Sequence, residues 1–242
     1  MERAYHKWFS EHLQRDMELL VFGHKGKAVL FFPTRMARFY DYENWGVVNA
    51  LATQINNGEL QLFCVDSIDR ESFYNQDEHP AVRIARHKQY EDYLVNEVVQ
   101  LIYKINGGDY IQTAGCSMGA YHAVNLAMKY PWLFKRAVGL SGRYDLTKHY
   151  GNFRDLLDGH QNEAVYFSMP VQFVPNLADG YLLSELRDLE VVLAVGKDDP
   201  FLPGNLEFGR LLNEKEMPNQ LHIWEGTAHK AADWIKMVPI YF

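Results

Sequence analysis

The sequence has few cysteines and none of the spacings by which side chains bind metals. Its 242 residues include two cysteines, Cys64 and Cys116, and no CxxC, HExxH or other paired Cys/His spacing. Disulfide-stapled domains and structural zinc domains both require such clusters. The sequence therefore argues against a disulfide scaffold and a structural zinc site, and it implies neither a metal nor a cofactor.

The chain also lacks an excess of positive charge and a long apolar segment. Its 24 basic and 31 acidic residues give a formal net charge of −7, and the basic residues do not cluster. Nucleic acid is not expected as a partner, because binding to a phosphate backbone requires clustered Lys and Arg. Charges interrupt the N-terminal segment, and no later apolar run approaches the roughly 20 residues that span a bilayer. We therefore expect a cytoplasmic protein that does not associate with membranes.

Apolar residues, in contrast, are abundant and recur in short segments. They make up 48% of the chain, which is enough for a large core in one domain over residues 1–242. Helical stretches separate the segments, as expected for strands buried on both faces of a parallel sheet. The segments are LQLFCVD, DYIQTAG, RAVGLSG, EVVLAVG and QLHIWEG. The predicted fold class is α/β, with a mostly parallel central sheet and helices on both of its faces.

The N-terminal residues predict antiparallel strands ahead of the parallel sheet. The segments RAYHKWF and RDMELLVFG are rich in apolar residues, and the second continues through GHKGK into AVLFF. Gly23 and Gly26 favour a hairpin turn between these last two segments. Further along the chain, apolar residues recur on one side of a predicted helix over 83–104, which stops at an NGG sequence.

An irregular segment over 149–176 interrupts the strand and helix pattern. It lies between two predicted strands and is rich in aromatic residues, too many for an ordinary solvated loop. We expect a small lid insertion here, whose aromatic side chains wall a substrate pocket. The aromatic residues in question are Tyr150, Phe153, Tyr166, Phe167 and Phe173.

One short motif points to chemistry: Ser117 stands between Gly115 and Gly119, after a predicted strand and before a predicted helix. Glycines at these two positions let the strand and the helix approach each other, so that the serine is raised on a sharp turn. The alternative is a structural turn of small residues. Cys116 is better interpreted as a buried small residue, and Ser141, which lacks the second glycine, as a structural serine.

A nucleophilic serine needs a histidine base and an orienting carboxylate, which follow it in the order acid, then histidine, in the fold that uses this motif. Of the ten histidines, His229 follows the last predicted strand on a flexible loop and is the candidate base. His149 and His160 in the irregular segment are the alternatives. The carboxylate is expected after EVVLAVG, where the residues alone leave both Asp198 and Asp199 open.

Acyl transfer also needs donors that stabilise a developing oxyanion. The backbone amide of Met118, next to the serine, is the first candidate. The loop PTRMARFYDYEN follows the segment AVLFF, and we expect the amide of Arg35 or Met36 to supply the second donor. A plain turn at this loop is the alternative.

Together these residues resemble a known group, the esterase-D-like branch of the α/β-hydrolase superfamily. The resemblance rests on FPTRMARFYDYEN, FCVDSIDRESFYN, GCSMGAYHAVNLA and VGKDDPF, and it extends over nearly the whole chain. It implies Ser117 as the nucleophile, His229 as the base, and amides near Arg35 and Met118 as the oxyanion hole. It also implies Asp199 as the acid, because the acid of this group stands three residues after the glycine that ends its strand.

The predicted function is hydrolysis of a carboxylic ester through an acyl-enzyme on Ser117. The partner is a small-molecule ester, and the sequence indicates neither its acyl and alcohol parts nor an oligomeric state. Two alternatives remain: an acyltransferase of the same fold, in which an alcohol replaces water, and a non-catalytic binding or scaffold protein.

Overall fold

A computed structural model describes residues 1–242 and contains one sheet of eight strands. The strands are Arg3–Ser10 (β1), Arg15–Phe22 (β2), Lys27–Phe32 (β3), Leu60–Val65 (β4), Ile111–Cys116 (β5), Arg136–Leu140 (β6), Glu190–Gly196 (β7) and Asn219–Trp224 (β8). Their order across the sheet is β1-β2-β4-β3-β5-β6-β7-β8. Pairing is antiparallel from β1 to β4 and parallel from there to β8. The predicted mostly parallel sheet with antiparallel N-terminal strands is confirmed.

The hairpin predicted at Gly23 and Gly26 is wrong, because β2 and β3 are not neighbours. Strand β4 lies between them and pairs antiparallel with β2 and parallel with β3. The connecting turn passes over the start of β4, where the Lys27 amide donates to the Glu59 carbonyl at 2.9 Å. Both β3 and β4 are almost completely buried, and such strands belong in the centre of a parallel sheet rather than in a two-stranded ribbon.

Eleven α-helices cover the sheet. They are Asp41–Asn44 (α1), Val47–Ala50 (α2), Ala52–Asn56 (α3), Pro80–Tyr93 (α4), Val99–Asn106 (α5), Met118–Lys129 (α6), Glu163–Tyr166 (α7), Pro170–Phe173 (α8), Tyr181–Arg187 (α9), Leu202–Glu214 (α10) and Ala231–Tyr241 (α11). Helices α4 to α6 and α10 contribute to the apolar core on one face, and α1 to α3 with α11 to the core on the other. None of the helices has the length and apolar character that crossing a bilayer requires.

The helix predicted over 83–104 is present but is longer and is interrupted. It begins at Pro80, where the His79 side chain accepts a hydrogen bond from the Ala81 amide, a cap that the apolar periodicity does not reveal. A π-helical segment, Leu94–Val98, joins α4 to α5. The end is as predicted, since Gly107 closes α5 in the left-handed conformation at φ 76°.

The irregular segment over 149–176 contains only short elements, namely α7, α8 and a 3₁₀ turn, Val174–Asn176. Its aromatic residues do not share one environment. Phe173 is buried in the main core with Tyr166 packed against it, whereas Phe167 is 43% exposed. The expectation that all five aromatic residues wall one pocket is therefore wrong for these three, because the short helices turn their side chains toward the core and toward solvent.

Candidate active site

The turn between β5 and α6 holds Ser117 in a strained backbone conformation, with φ 58° and ψ −119°. An L-residue adopts a positive φ at a cost, so the surrounding packing must enforce it. The two flanking glycines permit this packing. A Cβ at Gly115 would overlap the carbonyl group of Gly119, and a Cβ at Gly119 would overlap the carbonyl oxygen of Phe32. The small-residue spacing noted in the sequence thus has a direct steric cause.

The structure brings Ser117, His229 and Asp199 into one hydrogen-bonded chain. His229 Nε2 lies 2.9 Å from Ser117 Oγ, and His229 Nδ1 lies 2.6 Å from Asp199 Oδ2. The second carboxylate oxygen of Asp199 accepts from the Phe201 amide at 2.8 Å. Asp199 is buried, whereas its neighbour Asp198 is exposed. The arrangement can remove a proton from the serine and hold the resulting imidazolium beside a fixed carboxylate.

The alternative residues of the sequence analysis lie elsewhere. The ring of His160 stacks edge-to-face on His79 at 5.3 Å, and His149 is an exposed residue; neither has a hydrogen bond to Ser117. Cys116 is completely buried, and burial raises the pKa of its thiol to about 12. A thiol that stays protonated at neutral pH is a poor nucleophile.

Ser141 contributes to the site in a way that the sequence did not reveal. It follows β6 at φ 55°, and its hydroxyl donates to the Ala228 carbonyl at 2.6 Å. The Trp234 indole donates to the same hydroxyl at 3.2 Å. Ala228, also at a positive φ of 47°, immediately precedes His229. Ser141 therefore fixes the loop that carries the histidine, and the only sequence signal is a small polar residue at a strand end.

The two amides expected from the loop after β3 have different environments. The Met36 amide donates to Asp69 Oδ2 at 2.9 Å, so it is not free for a ligand. Met36 has φ 59°, which turns its amide toward Asp69, and naming it as a possible oxyanion donor is wrong for this reason. The Arg35 amide has no hydrogen-bond acceptor in the protein. Arg35 and Met118 both line the cavity that contains Ser117.

Asp69 links this loop to the helix that follows Ser117. It is buried at 1% exposure, and its Oδ1 lies 3.1 Å from Nε2 of His122 on α6. The Tyr74 amide donates to the Asp69 carbonyl at 2.9 Å. No sequence motif marks Asp69, because its partners Met36 and His122 are 33 and 53 residues away in the chain.

A cavity of about 280 Å³ opens at the serine. Burial and the nearby Asp69 raise the pKa of the Tyr74 phenol in its wall to about 12, so the phenol is neutral at physiological pH. Of the five aromatic residues in the irregular segment, Phe153 lines the cavity, as predicted, whereas Tyr150 does not: its ring packs edge-to-face against Phe201, a lining residue, with the ring centres 5.8 Å apart. The lining residues are Thr34, Arg35, Tyr74, Ser117, Met118, Arg143, Leu146, Phe153, Phe201, His229 and Trp234. No group of three or more His, Cys, Asp or Glu side chains is placed to hold a metal ion.

Comparison with known proteins gives one family match and several structural neighbours. The family model described as "Putative esterase" matches residues 39–236. A ferulic acid esterase superposes with a TM-score of 0.78 at 18% identity, covering 99% of this chain and 95% of that chain. No curated protein matches the chain at a significant level.

Two further neighbours are bacterial enzymes. An S-formylglutathione hydrolase from Agrobacterium tumefaciens has a TM-score of 0.75 at 16% identity, with 99% of this chain and 94% of that chain covered. The fluorophosphonate-binding serine hydrolase FphF of Staphylococcus aureus has a TM-score of 0.71 at 16% identity, with 98% of this chain and 95% of that chain covered. At these identities the likeness concerns the fold, which is the predicted α/β-hydrolase fold.

Proposed function

The chain belongs to the esterase family and is a carboxylic ester hydrolase, and from this premise we propose that it works through an acyl-enzyme on Ser117. The observation that carries the proposal is the hydrogen-bonded chain of serine, histidine and carboxylate, with distances of 2.9 Å and 2.6 Å. Both lie in the range of hydrogen bonds between a nucleophile, its base and the group that orients the base. Ser117, at one end of these hydrogen bonds, lines a cavity in which an ester can reach its hydroxyl.

In the proposed reaction, Ser117 Oγ attacks the acyl carbon while His229 Nε2 takes its proton. Asp199 accepts the hydrogen bond from His229 Nδ1, which fixes the tautomer that leaves Nε2 free as the base. The amides of Met118 and Arg35 stabilise the oxyanion of the tetrahedral intermediate. His229 then gives its proton to the departing alcohol. Water, activated by the same histidine, releases the acid and restores the serine.

The shape and lining of the cavity favour a small substrate. Its volume of about 280 Å³ lies just below the range for small-molecule sites, roughly 300–1,000 Å³. Apolar contacts for an acyl chain or a small aromatic alcohol come from Leu146, Phe153, Phe201 and Trp234. We therefore expect short-chain and small aromatic esters to be better substrates than long-chain lipids.

Hydrolysis of p-nitrophenyl esters of increasing chain length, by the wild type and by Ser117→Ala, tests the proposal. We expect the substitution to lower kcat by up to about 10⁶-fold with little change in the melting temperature. A purified, folded Ser117→Ala protein that retains more than a few per cent of the activity would exclude the serine as nucleophile. Adding small alcohols to the wild-type reaction and measuring transesterified product distinguishes hydrolysis from acyl transfer.

A further inference from the structure

Two guanidinium groups, those of Arg143 and Arg35, line the cavity that contains Ser117 and His229. No Asp or Glu is among the residues that line this cavity. Neither arginine forms an ion pair, although the chain has many more carboxylates than it needs to neutralise its basic residues. The wall of the cavity therefore carries two arginines and no carboxylate, in a protein whose net charge is −7.

The hydrogen bonds of Arg143 leave one side of its guanidinium without a partner. Nε donates to the Asp145 carbonyl at 3.1 Å. Nη2 donates to the carbonyls of Leu146 at 3.0 Å and Arg154 at 2.9 Å, and also to the Lys148 carbonyl. Nη1 makes no hydrogen bond to the protein, and it is not among the atoms that are sealed from solvent without a partner. Its two protons therefore have no acceptor in the protein, and Arg143 is one of the residues that line the cavity.

Arg143 keeps its charge in an unfavourable setting. The residue is only 6% exposed, and burial lowers the pKa of its guanidinium. The guanidinium remains protonated at neutral pH, because the ordinary pKa of arginine is roughly 12.5 or higher. The acidic groups that act on it, Asp145 and Asp155, accept hydrogen bonds from Thr147 and Leu157 instead. A buried charge that forms no direct ion pair is costly, and an anionic ligand in contact with it would offset that cost.

The second arginine and a third one extend the positive charge around the cavity. The Arg35 guanidinium lies 5.8 Å from the centre of the Tyr74 ring, in range of a cation–π contact. The positive charges of Arg35, Arg143 and Arg154 all favour ionisation of the Tyr74 phenol, although burial outweighs them. The three side chains thus lie close enough to one another to act on the same group in the cavity wall.

We propose that Arg143, assisted by Arg35, binds a carboxylate group of the substrate, so that the enzyme prefers anionic esters. The proposal rests on the proposed ester hydrolysis at Ser117 and names the substrate class for the same site. The carboxylate belongs to the acyl part or to the alcohol part of the ester. Nε and Nη2 of Arg143 donate to backbone carbonyls between residues 145 and 154 and so hold that loop. Nη1 is the group that donates to the carboxylate of the substrate.

Two pairs of matched esters test this preference. In the first pair, 3-acetoxybenzoate and 3-acetoxybenzamide, the charge lies on the alcohol part. In the second, the mono-p-nitrophenyl ester of adipic acid and its terminal amide, it lies on the acyl part. We expect kcat/KM of the wild type to favour the anionic member of one pair by about 10- to 100-fold, the range of a charged hydrogen bond. Measurable hydrolysis at equal rates in both pairs would overturn the proposal without any variant.

Variants then assign the preference to Arg143. Arg143→Gln should lose most of the preference for the anion, measured as the ratio of kcat/KM between the two members of each pair, so that a general loss of rate on both members does not count. Arg210→Gln removes the same charge from an exposed position on α10 and should keep the preference. If Arg143→Gln does not fold, Arg143→Lys replaces it as the test. Lysine keeps the positive charge but lacks the several donors of a guanidinium, so the preference for the anionic ester should fall. A folded variant that keeps the full preference would overturn the role of Arg143.

Binding measurements separate this proposal from the proposed mechanism. The intact esters of both pairs can be titrated calorimetrically into Ser117→Ala, where no turnover is expected. Tighter binding of the anionic member, lost in the double variant Ser117→Ala/Arg143→Gln, supports the carboxylate site even if the wild type hydrolyses none of the four esters. Equal binding of both members of each pair, together with Ser117-dependent hydrolysis, would leave the mechanism standing and reject the carboxylate site.

Discussion

In the proposed mechanism the site has a base side, which carries His229 and Asp199, and an acyl side, which carries the Arg35 loop, and the two are positioned by different means. His229 and Asp199 follow the ends of the adjacent strands β8 and β7, so the sheet itself brings their loops together. The loop of Arg35 instead depends on the buried side chain of Asp69, which comes from a distant segment. Residues placed by strand ends can be found in a sequence, whereas residues placed by long-range side-chain contacts require the structure.

The largest expected effect is on the base side, at the pair of adjacent carboxylates. Asp199→Asn should lower kcat by up to about 10⁴-fold, because an amide holds the histidine in the wrong tautomer. Asp198→Asn is the matched control and should be nearly normal, since Asp198 is exposed and the ring nitrogens of His229 are hydrogen-bonded to Asp199 and Ser117 instead. The measurement is kcat on one soluble ester, with folding checked by circular dichroism. The opposite ranking would move the acid to Asp198.

A smaller effect is expected on the acyl side, at Asp69. Asp69→Ala leaves the Met36 amide without its acceptor and should let the Arg35 loop move. We expect kcat to fall by about 10- to 100-fold, below the roughly 10²- to 10³-fold of losing an oxyanion donor outright, with little change in KM. Asp69→Asn retains an acceptor oxygen and should recover most of the rate. Equal activity of the alanine variant and the wild type would show that Asp69 does not position the oxyanion loop.

Ser141 offers a comparable test on the base side. Ser141→Ala removes the hydrogen bonds to Ala228 and Trp234. The loss should destabilise the protein by about 1–3 kcal/mol and lower kcat by about tenfold through displacement of His229. Thermal unfolding and kcat at a temperature well below the transition separate the two effects. A loss of stability with unchanged kcat would limit Ser141 to a structural role.

The smallest expected effect concerns the aromatic residues of the irregular segment. Phe153 lines the cavity, so Phe153→Ala should change the preference for acyl chain length by about fivefold, within the range for apolar contacts in a pocket. Phe167 is 43% exposed and does not line the cavity, so Phe167→Ala serves as the control. Ratios of kcat/KM for p-nitrophenyl acetate and hexanoate provide the measurement. A larger change in the Phe167 variant would contradict this assignment.

The difference between local patterns and long-range side-chain contacts explains which features could be predicted from the sequence. The parallel strands and the turn at Ser117 follow from local patterns, because buried strands read as apolar runs and a sharp turn needs glycines. The wrong hairpin at Gly23 arose because a local turn signal does not reveal that β4 inserts between two consecutive strands. The carbonyl contacts of Arg143 and the buried Asp69 depend on segments that meet only after folding. No periodicity or motif marks such contacts.

The proposed mechanism requires that Ser117 forms the acyl-enzyme. Its most direct test is to treat the protein with a fluorophosphonate probe and to locate the adduct by mass spectrometry of the digested peptides. We expect one adduct per chain, on the peptide that contains Ser117, and none in Ser117→Ala treated in the same way. An adduct on Ser141 or another serine, or an enzyme that hydrolyses esters at the normal rate after Ser117 is replaced, would contradict the account.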